Sequence, residues 1–84
     1  MTGIVKWWDE KKGYGYITVA QNNEVRDYFA HYENIITHHK FKKLKAGWVC
    51  TFAPEHSEKG WMAKDIRMVS RDSKEFNKED KANE

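Results

Sequence analysis

The segment KKGYGYI, residues 11–17, contains two lysines and two tyrosines within seven positions. If it forms a β-strand, Tyr14 and Tyr16 project from the same face, because side chains alternate between the two faces. Aromatic rings on a surface can stack on nucleobases, and nearby lysines can neutralise phosphates. Such a surface favours single strands, since the bases of a duplex already stack on one another. The pattern therefore indicates binding of single-stranded nucleic acid, with a second apolar face beneath a long loop as the alternative.

The residue types that most often ligate metals or catalyse reactions are not arranged for either purpose. The chain has four histidines and one cysteine, at His31, His38, His39, His56 and Cys50. They show no Cys-x-x-Cys or His-x-x-x-His spacing, so we expect no metal site and interpret Cys50 as a small apolar strand residue. Gly13-x-Gly15 lacks the third glycine and the following helix of a dinucleotide fingerprint. We therefore predict no cofactor and no enzymatic activity, and a small nuclease is kept as an alternative.

Twelve aromatic residues, four each of Trp, Tyr and Phe, are many for a chain of 84 residues. A chain of this length forms one domain and buries about 60–65% of its unfolded surface, so its core is small. Seven of the twelve rings fall between Trp7 and Tyr32. Because a small core cannot hold them all, we expect some to be exposed, and clustered exposed rings indicate binding.

The formal net charge of +2 is unevenly distributed along the chain. Residues 71–84 carry −1 and residues 1–70 carry +3, a mildly basic balance that suits a polyanionic partner. The sequence has no apolar run of about 18 residues and no signal-peptide pattern, so we expect neither a membrane span nor export. A single cysteine in a small domain without disulfides favours the reducing cytoplasm.

Five segments rich in β-branched and aromatic residues are bounded by turn signals and predict strands. They cover residues 3–8, 14–20, 25–32, 48–53 and 61–69. Pro54 is expected to end the fourth strand, since proline cannot donate to a ladder. In the fifth strand, Ala63 and Ile66 point inward on different phases, which predicts a bulge or a bend between them. With no convincing helix, we predict an all-β fold: a five-stranded antiparallel Greek-key barrel, the OB-fold, over residues 1–70. We predict a disordered tail at 71–84, with a frayed helix as the alternative.

Alternation also assigns the faces of the first two strands. Ile17 lies on the predicted core face of the second strand, so its two tyrosines face outward. In the first strand, strict alternation places Val5 and Trp7 on one side of the sheet. The same alternation places Lys6 and Trp8 on the other side.

The segment KGYGYI resembles the RNA-recognition signature Lys/Arg-Gly-aromatic-Gly/Ala-aromatic-aliphatic. In RRM domains that signature follows a strand, a helix and another strand, whereas here it begins at Lys12 and no helix separates it from the next aromatic strand. An RRM is rejected on this spacing. Instead, GIVKWWDEKKGYGYITV followed by DYFAHY resembles the cold-shock domain family, and FKKLKAG resembles the Phe-x-x-Leu-x-x-Gly loop of that family. The resemblance extends from about Gly3 to Val69.

The resemblance implies an OB-type barrel that binds single-stranded RNA and DNA with little sequence selectivity and a preference for pyrimidine-rich strands. It also implies an RNA chaperone that holds transcripts unpaired without ATP, in cold-shock or general stress adaptation. We expect a monomer in the cytoplasm. A barrel whose aromatic face docks a partner protein is the alternative from another functional class.

Site residues are carried over from the family by their positions in the matching motifs. The stacking positions correspond to Trp7, Tyr14, Tyr16, Phe29, His31, Tyr32 and Phe41, the polar contact positions to Lys6, Lys12 and Asp27, and a further aromatic position to Trp8. Strict alternation cannot place neighbours such as Trp7 and Trp8 on one face. The same holds for His31 and Tyr32. The resemblance places both pairs at strand ends, where the chain leaves the pleat.

The chain departs from the family pattern at several positions. Both aromatic residues of KGYGYI are tyrosines where the family has phenylalanines, which keeps the rings and adds hydroxyls. Tyr28 and Ala30 stand where the family usually has two inward valines, an exchange that roughly conserves volume. Where the family often has Arg-Gly-Pro-Gln, this chain has KGWM. Lys59 keeps the charge without the guanidinium fork, and Trp61 either extends the ring surface or is a half-buried rim residue.

Overall fold

Five strands and one short helical turn are present in the structure, a computed structural model in which residues 1–38 and 40–71 are described. The elements are β1 (Thr2–Asp9), β2 (Tyr14–Gln21), β3 (Glu24–His31), a 3-10 helix (Tyr32–Asn34), β4 (Val49–Ser57) and β5 (Gly60–Ser70). Each predicted strand overlaps one of the observed strands. The disordered tail predicted for residues 71–84 lies, from residue 72 onward, outside the described residues, and so does His39.

The five strands close into a barrel in the order β1-β2-β3-β5-β4, with β4 pairing back onto β1. The junctions are antiparallel except that between β3 and β5, which is parallel and pairs Phe29 with Met62. A second parallel bridge, between Ile35 and Ile66, extends this junction beyond the end of β3. The predicted all-β, five-stranded barrel is confirmed, and its strand order fits an OB-fold.

Short turns join β1, β2 and β3 into an antiparallel meander. Asn22 and Asn23, with φ of 54° and 65°, form the two-residue turn between β2 and β3, because asparagine tolerates the left-handed conformation. In the turn between β1 and β2, Oδ1 of Asp9 accepts hydrogen bonds from the backbone N–H groups of Lys11 and Lys12, both at 3.0 Å. These turns hold the outer faces of the three strands side by side.

The inner face of the barrel is filled by aliphatic and small side chains together with two aromatic rings. The buried cluster comprises Val5, Ile17, Tyr28, Ala30, Ile35, Leu44, Cys50, Phe52, Ala63 and Ile66. The rings of Tyr28 and Phe52 pack with their centroids 4.9 Å apart. The predicted inward positions of Tyr28 and Ala30 are therefore confirmed. Burial raises the pKa of the Cys50 thiol to about 12, so this residue behaves as a small apolar side chain.

A bulge in β5 brings both Ala63 and Ile66 into the core, as the change of phase predicted. Asp65, with φ of 49°, lies between them. The pairing of β4 with β5 shifts register at the same place, between Thr51 and Ala53. The extra residue lets the strand resume its alternation with a second inward side chain.

The prediction that Pro54 ends the fourth strand is wrong. β4 continues through Pro54, which pairs with Ala63, and ends at Ser57. Proline is tolerated here because β1 pairs with β4 only over Val49–Thr51, so the later part of β4 is an edge. The hairpin of β4 and β5 therefore extends beyond the closed part of the barrel.

Gly15 allows β2 to lie close to β1. A Cβ built at Gly15 would collide with the carbonyl oxygen of Trp7 and would lie 2.9 Å from Cα of Trp8. We therefore expect Gly15→Ala to lower the free energy of unfolding by about 1–3 kcal/mol, the usual cost of overpacking. Chemical denaturation measures this quantity. Gln21→Ala, at the exposed end of β2, is the control and should change it by less than about 0.5 kcal/mol. Equal stability of the two variants would contradict the expected clash.

Candidate nucleic-acid interface

The outer face of β2 and β3 carries three cross-strand pairs of functional side chains. Because paired residues of antiparallel strands project to the same side, each pair lies together on the surface. The pairs are Tyr14 with His31, Tyr16 with Phe29, and Thr18 with Asp27. The first two pairs are aromatic and the third is polar, so the face changes character along the strands.

Four aromatic rings gather on this face across β1, β2 and β3. The ring centroid of Trp7 lies 5.4 Å from that of Tyr16 and 5.6 Å from that of Tyr14. Phe29 completes the set, 5.6 Å from Tyr14 and 5.7 Å from Tyr16. We call Trp7, Tyr14, Tyr16 and Phe29 the ring platform. Trp7 is 40% exposed and the other three are half-buried, so the rings support one another while part of each stays open to solvent.

A bulge in β1 brings Trp7 onto the ring platform. Val5 pairs with Ile17 and Trp7 pairs with Tyr16, so two steps along β1 match one step along β2. The predicted sharing of one side by Val5 and Trp7 is therefore wrong: Val5 is buried in the core while Trp7 faces outward. The bulge resets the alternation between them.

Trp8 points the other way and packs against the buried cluster. It pairs with Gly15, whose position is buried, and its Nε1 is buried without a hydrogen-bond partner among the described residues. The predicted pairing of Trp8 with Lys6 on one face is also wrong, because Lys6 is exposed and contacts Asp27 on the outer face. The structure thus brings Trp7 into the ring cluster and leaves Trp8 out of it.

His31 and Tyr32 extend the ring platform at one end. Their centroids are 4.5 Å apart, and His31 lies 6.4 Å from Phe29. Tyr32 begins the 3-10 helix, so the chain leaves the pleat between the two residues, as the resemblance implied for this pair. The Tyr32 ring covers Gly13, where a Cβ would lie 2.5 Å from Cδ1 of the ring and where φ is +72°. The Tyr32 ring can pack over this turn because the residue beneath it is glycine, which has no side chain and adopts a positive φ without strain.

Lys6, Asp27 and Thr18 form a polar cluster at the opposite end of the platform. The Thr18 hydroxyl donates to Oδ1 of Asp27 at 2.7 Å, and the Lys6 ammonium donates to Oδ2 at 3.1 Å. The Thr18 hydrogen bond, followed by the Lys6 ammonium, holds the pKa of the Asp27 carboxyl below its usual value of 3.8, against the opposing effect of burial. A negatively charged acceptor therefore stands beside the rings at neutral pH.

Three of the other predicted site residues lie in turns or loops, and the fourth lies near the start of β5. Lys12 is exposed in the turn that Asp9 closes, beside the Tyr32 end of the platform. Phe41 is 77% exposed on the loop after the 3-10 helix. Lys59 is exposed in the turn between β4 and β5, where its N–H donates to Ser57 Oγ at 3.2 Å.

Trp61 belongs to a separate cluster. Its ring lies 5.8 Å from that of Tyr28 and 4.7 Å from that of His56, and the Arg26 guanidinium carbon is 4.5 Å from its centroid. It is half-buried and packs against the core. The sequence left two interpretations of Trp61 open, an extension of the ring surface or a half-buried rim residue. Its position in the structure matches the second. Among the described residues, no ring contact joins Trp61 or Phe41 to the ring platform.

Met62 was missed by the sequence reasoning. It pairs with Phe29 across the parallel junction of β3 and β5, so both side chains lie on the outer face of the sheet, and Met62 is half-buried there. Alternation with the inward Ala63 predicts that Met62 faces outward. Its position beside Phe29 depends on β5 pairing with β3, which no local signal reveals.

Acidification tests the polar cluster. Because folding lowers the pKa of Asp27, its contribution to stability is present above the usual value of 3.8 and is lost as the pH falls through the lower folded value. We expect Thr18→Val, which removes the hydrogen bond that contributes most to lowering the Asp27 pKa, to lower the melting temperature at pH 7 and to have a smaller effect near pH 2. Thermal melts of the variant and the wild type at both pH values measure this difference. A difference that does not shrink in acid would contradict the role given to Asp27.

Comparisons with known proteins agree with the motifs and the barrel. A family model of the 'Cold-shock' DNA-binding domain matches residues 1–69. The cold shock-like protein CspG of Shewanella violacea is 42% identical over 65 residues, covering 77% of this chain and 89% of the relative. The cold shock-like protein of Thermotoga maritima is 42% identical over 69 residues, covering 82% and 98%. The cold shock-like protein CspA of Vibrio cholerae is 39% identical over 66 residues, covering 79% and 90%.

Two kinds of feature are absent from the part of the chain that the structure describes. Within residues 1–38 and 40–71, no helix is long and apolar enough to span a membrane. The same residues contain no group of three or more His, Cys, Asp or Glu side chains placed to hold a metal ion. Together with the family match over residues 1–69, the motifs and the barrel lead to one conclusion: the chain belongs to the cold-shock domain family, a family of nucleic-acid-binding proteins.

Proposed function

We propose that this chain binds single-stranded RNA and DNA with little sequence selectivity by stacking bases on the ring platform. The observation that carries this proposal is the mutual packing of four partly open rings on one face of β1, β2 and β3. Every base has a π-face, and one stacked base contributes about 1–3 kcal/mol. Stacking depends on the presence of a base more than on which base it is, which fits low sequence selectivity. The proposal includes a preference for pyrimidine-rich strands.

Charged and polar groups at both ends of the platform position the strand. Lys6 stands at one end and Lys12 at the other, and both are exposed for contact with phosphates. Asp27 accepts hydrogen bonds from base amino groups, since its carboxylate is ionised at neutral pH. His31 and Tyr32 offer further stacking surface beyond Phe29.

Four further residues have roles beside the platform in this proposal. Phe41 stacks on a base from its loop, and Lys59 contacts a phosphate from the turn between β4 and β5. Trp8 acts indirectly, because it packs inward against the buried cluster. Trp61 acts as a rim residue whose ring holds the Arg26 guanidinium by a cation–π contact.

Binding of this kind makes the protein an RNA chaperone that needs no ATP. A ligand that binds the unpaired strand and not the hairpin shifts the equilibrium toward the unpaired form by mass action. This shift matters most in the cold, when hairpins are over-stable. We propose that the protein does this as a monomer in the cytoplasm, in cold-shock or general stress adaptation.

Replacement of Tyr14 tests the stacking role. Tyr14→Ala should weaken binding of an oligothymidylate by about 1–3 kcal/mol, because it removes one stacking ring. A fluorescence titration measures the affinity, and Tyr14→Phe, which keeps the ring, should bind nearly as well as the wild type. Thermal melts of both variants are needed, since the Tyr14 ring also packs on Trp7 and Phe29. A folded Tyr14→Ala variant with unchanged affinity would overturn the assignment of Tyr14.

A stem–loop RNA labelled with a fluorophore and a quencher tests the chaperone role. Adding the protein without ATP should separate the labels, and adding salt should reverse the effect, because phosphate contacts release counterions. A hairpin that stays closed while an unstructured RNA of the same length binds would contradict the chaperone role alone. Failure of both RNAs and of single-stranded DNA to bind would favour a protein partner for the ring platform.

A further inference from the structure

A broad groove lies beside the ring platform and is not part of it. It begins at Tyr32, follows the loop after the 3-10 helix, and reaches Arg71 after the end of β5. Ile35, Leu44 and Trp48 line it with buried or half-buried apolar side chains. We call this feature the basic groove, because of the side chains along its edges.

Basic side chains are concentrated along this groove. It is lined by seven of the fifteen Lys and Arg residues of the chain and by two of the thirteen Asp and Glu residues. Three separate parts of the chain contribute them: the turn after β1, the loop after the 3-10 helix, and the last part of β5 with the residue that follows it. They include Lys12, Lys40, Lys42, Arg67 and Arg71. Side chains from distant parts of the sequence thus make one positive surface.

Most of this charge has no partner within the described residues. Among the described residues that line the groove, Lys43 is the only basic side chain in an ion pair, with Glu10 at 3.7 Å. Both side chains of this pair are more than half exposed. Like charges gathered on one surface repel one another, so the arrangement does not stabilise the folded barrel. A bound polyanion would relieve the repulsion and gain the release of its own counterions.

Aromatic side chains interleave with these charges. Phe41 projects into solvent with 77% exposure, and the Arg71 guanidinium carbon lies 6.0 Å from the centroid of the Trp48 ring. Rings placed among cations suit a single strand, whose bases are free to contact them. Because the bases of a duplex are stacked on one another, a duplex would present only its phosphates to this surface. Phe41 would then have no free base to contact.

We propose that the basic groove carries the backbone of the same single strand after it leaves the platform at Tyr32. This inference rests on the proposed function and lengthens its footprint. Tyr32 and Lys12 border both surfaces, so a strand stacked on the platform reaches the groove without a gap. Arg67 and Arg71 contact the phosphates farthest from the platform.

The test compares two double variants that each remove two positive charges. Arg67→Gln with Arg71→Gln changes the groove, whereas Lys45→Gln with Lys64→Gln changes residues that do not line it. Affinities are measured for oligothymidylates of about 6 and about 16 nucleotides, both within the range covered by one OB-fold. The salt dependence of each affinity is measured with the same three proteins, the wild type and the two double variants, and the same two strands.

We expect the groove variant to bind the long strand about 3- to 10-fold more weakly than the wild type, as for two lost exposed charge contacts. Its salt slope for the long strand should fall by about 1.4, since each phosphate contact to a single strand contributes about 0.7. Binding of the short strand should not change more than it does in the control variant. Thermal melts verify that the loss of Arg71 from Trp48 leaves the barrel folded.

Equal effects of the two double variants on the long strand would overturn the groove inference and leave the ring platform untouched. Equal affinity of the wild type for the short and long strands, with equal salt slopes, would overturn it as well. Failure of the wild type to bind either strand would instead contradict the proposed function itself.

Discussion

In β1, the residues Val5 and Trp7 are two apart and yet lie on opposite faces of the sheet, because a bulge between them adds one residue relative to β2. The inward side then continues with Trp8, and the outward side gains the indole ring of Trp7. Without this extra residue, Trp7 would point into the core and Trp8 would point outward, whereas Lys6 would stay on the outer face. The contacts of the ring platform depend on this one irregularity, since Trp7 touches both Tyr14 and Tyr16.

The barrel offers aromatic surface to a ligand at a cost in stability. Each ring on the outer face is only partly buried, so it contributes less hydrophobic free energy to folding than a core ring does. This loss matters because a chain of this size buries a smaller fraction of its surface on folding than a larger domain does. Mutual packing recovers some of it: edge-on contacts such as Trp7 with Tyr14 contribute about 0.5–1.5 kcal/mol each. Gly15 contributes from beneath, because the absence of a side chain lets β1 approach β2 under Trp7. The inner face is completed separately by Tyr28 and its neighbours.

Much of this arrangement could be predicted from local pattern. Alternation in β2 placed the tyrosines outside, and the change of phase in β5 indicated a bulge or bend there. The inward positions of Tyr28 and Ala30 were implied by the resemblance to the family. The bulge in β1 could not be found in this way, because Val5 and Trp7 are both apolar and fit the same side equally well. Alternation is informative where the two faces differ in polarity, and in β1 they do not.

The sequence also could not predict features that depend on pairing between strands that are far apart along the chain. Pro54 was expected to end a strand, and only the limited pairing of β1 with β4 explains why it does not. Met62 lies beside Phe29 because β5 joins β3 in parallel, which no turn or alternation signal specifies. Trp61 remained open for the same reason, since its neighbours Tyr28, Arg26 and His56 come from two other strands.

The central claim is that bases stack on the rings gathered around Trp7, and tryptophan fluorescence tests it most directly. The four tryptophans occupy different places: Trp7 lies on the platform, while Trp8, Trp48 and Trp61 pack against the core. Titration with an oligothymidylate should quench emission strongly in a Trp61→Phe variant, which keeps Trp7. In a folded Trp7→Phe variant most of the quenching should disappear. Full quenching in the Trp7→Phe variant, with its loss in Trp61→Phe, would place the bound strand elsewhere and contradict the account.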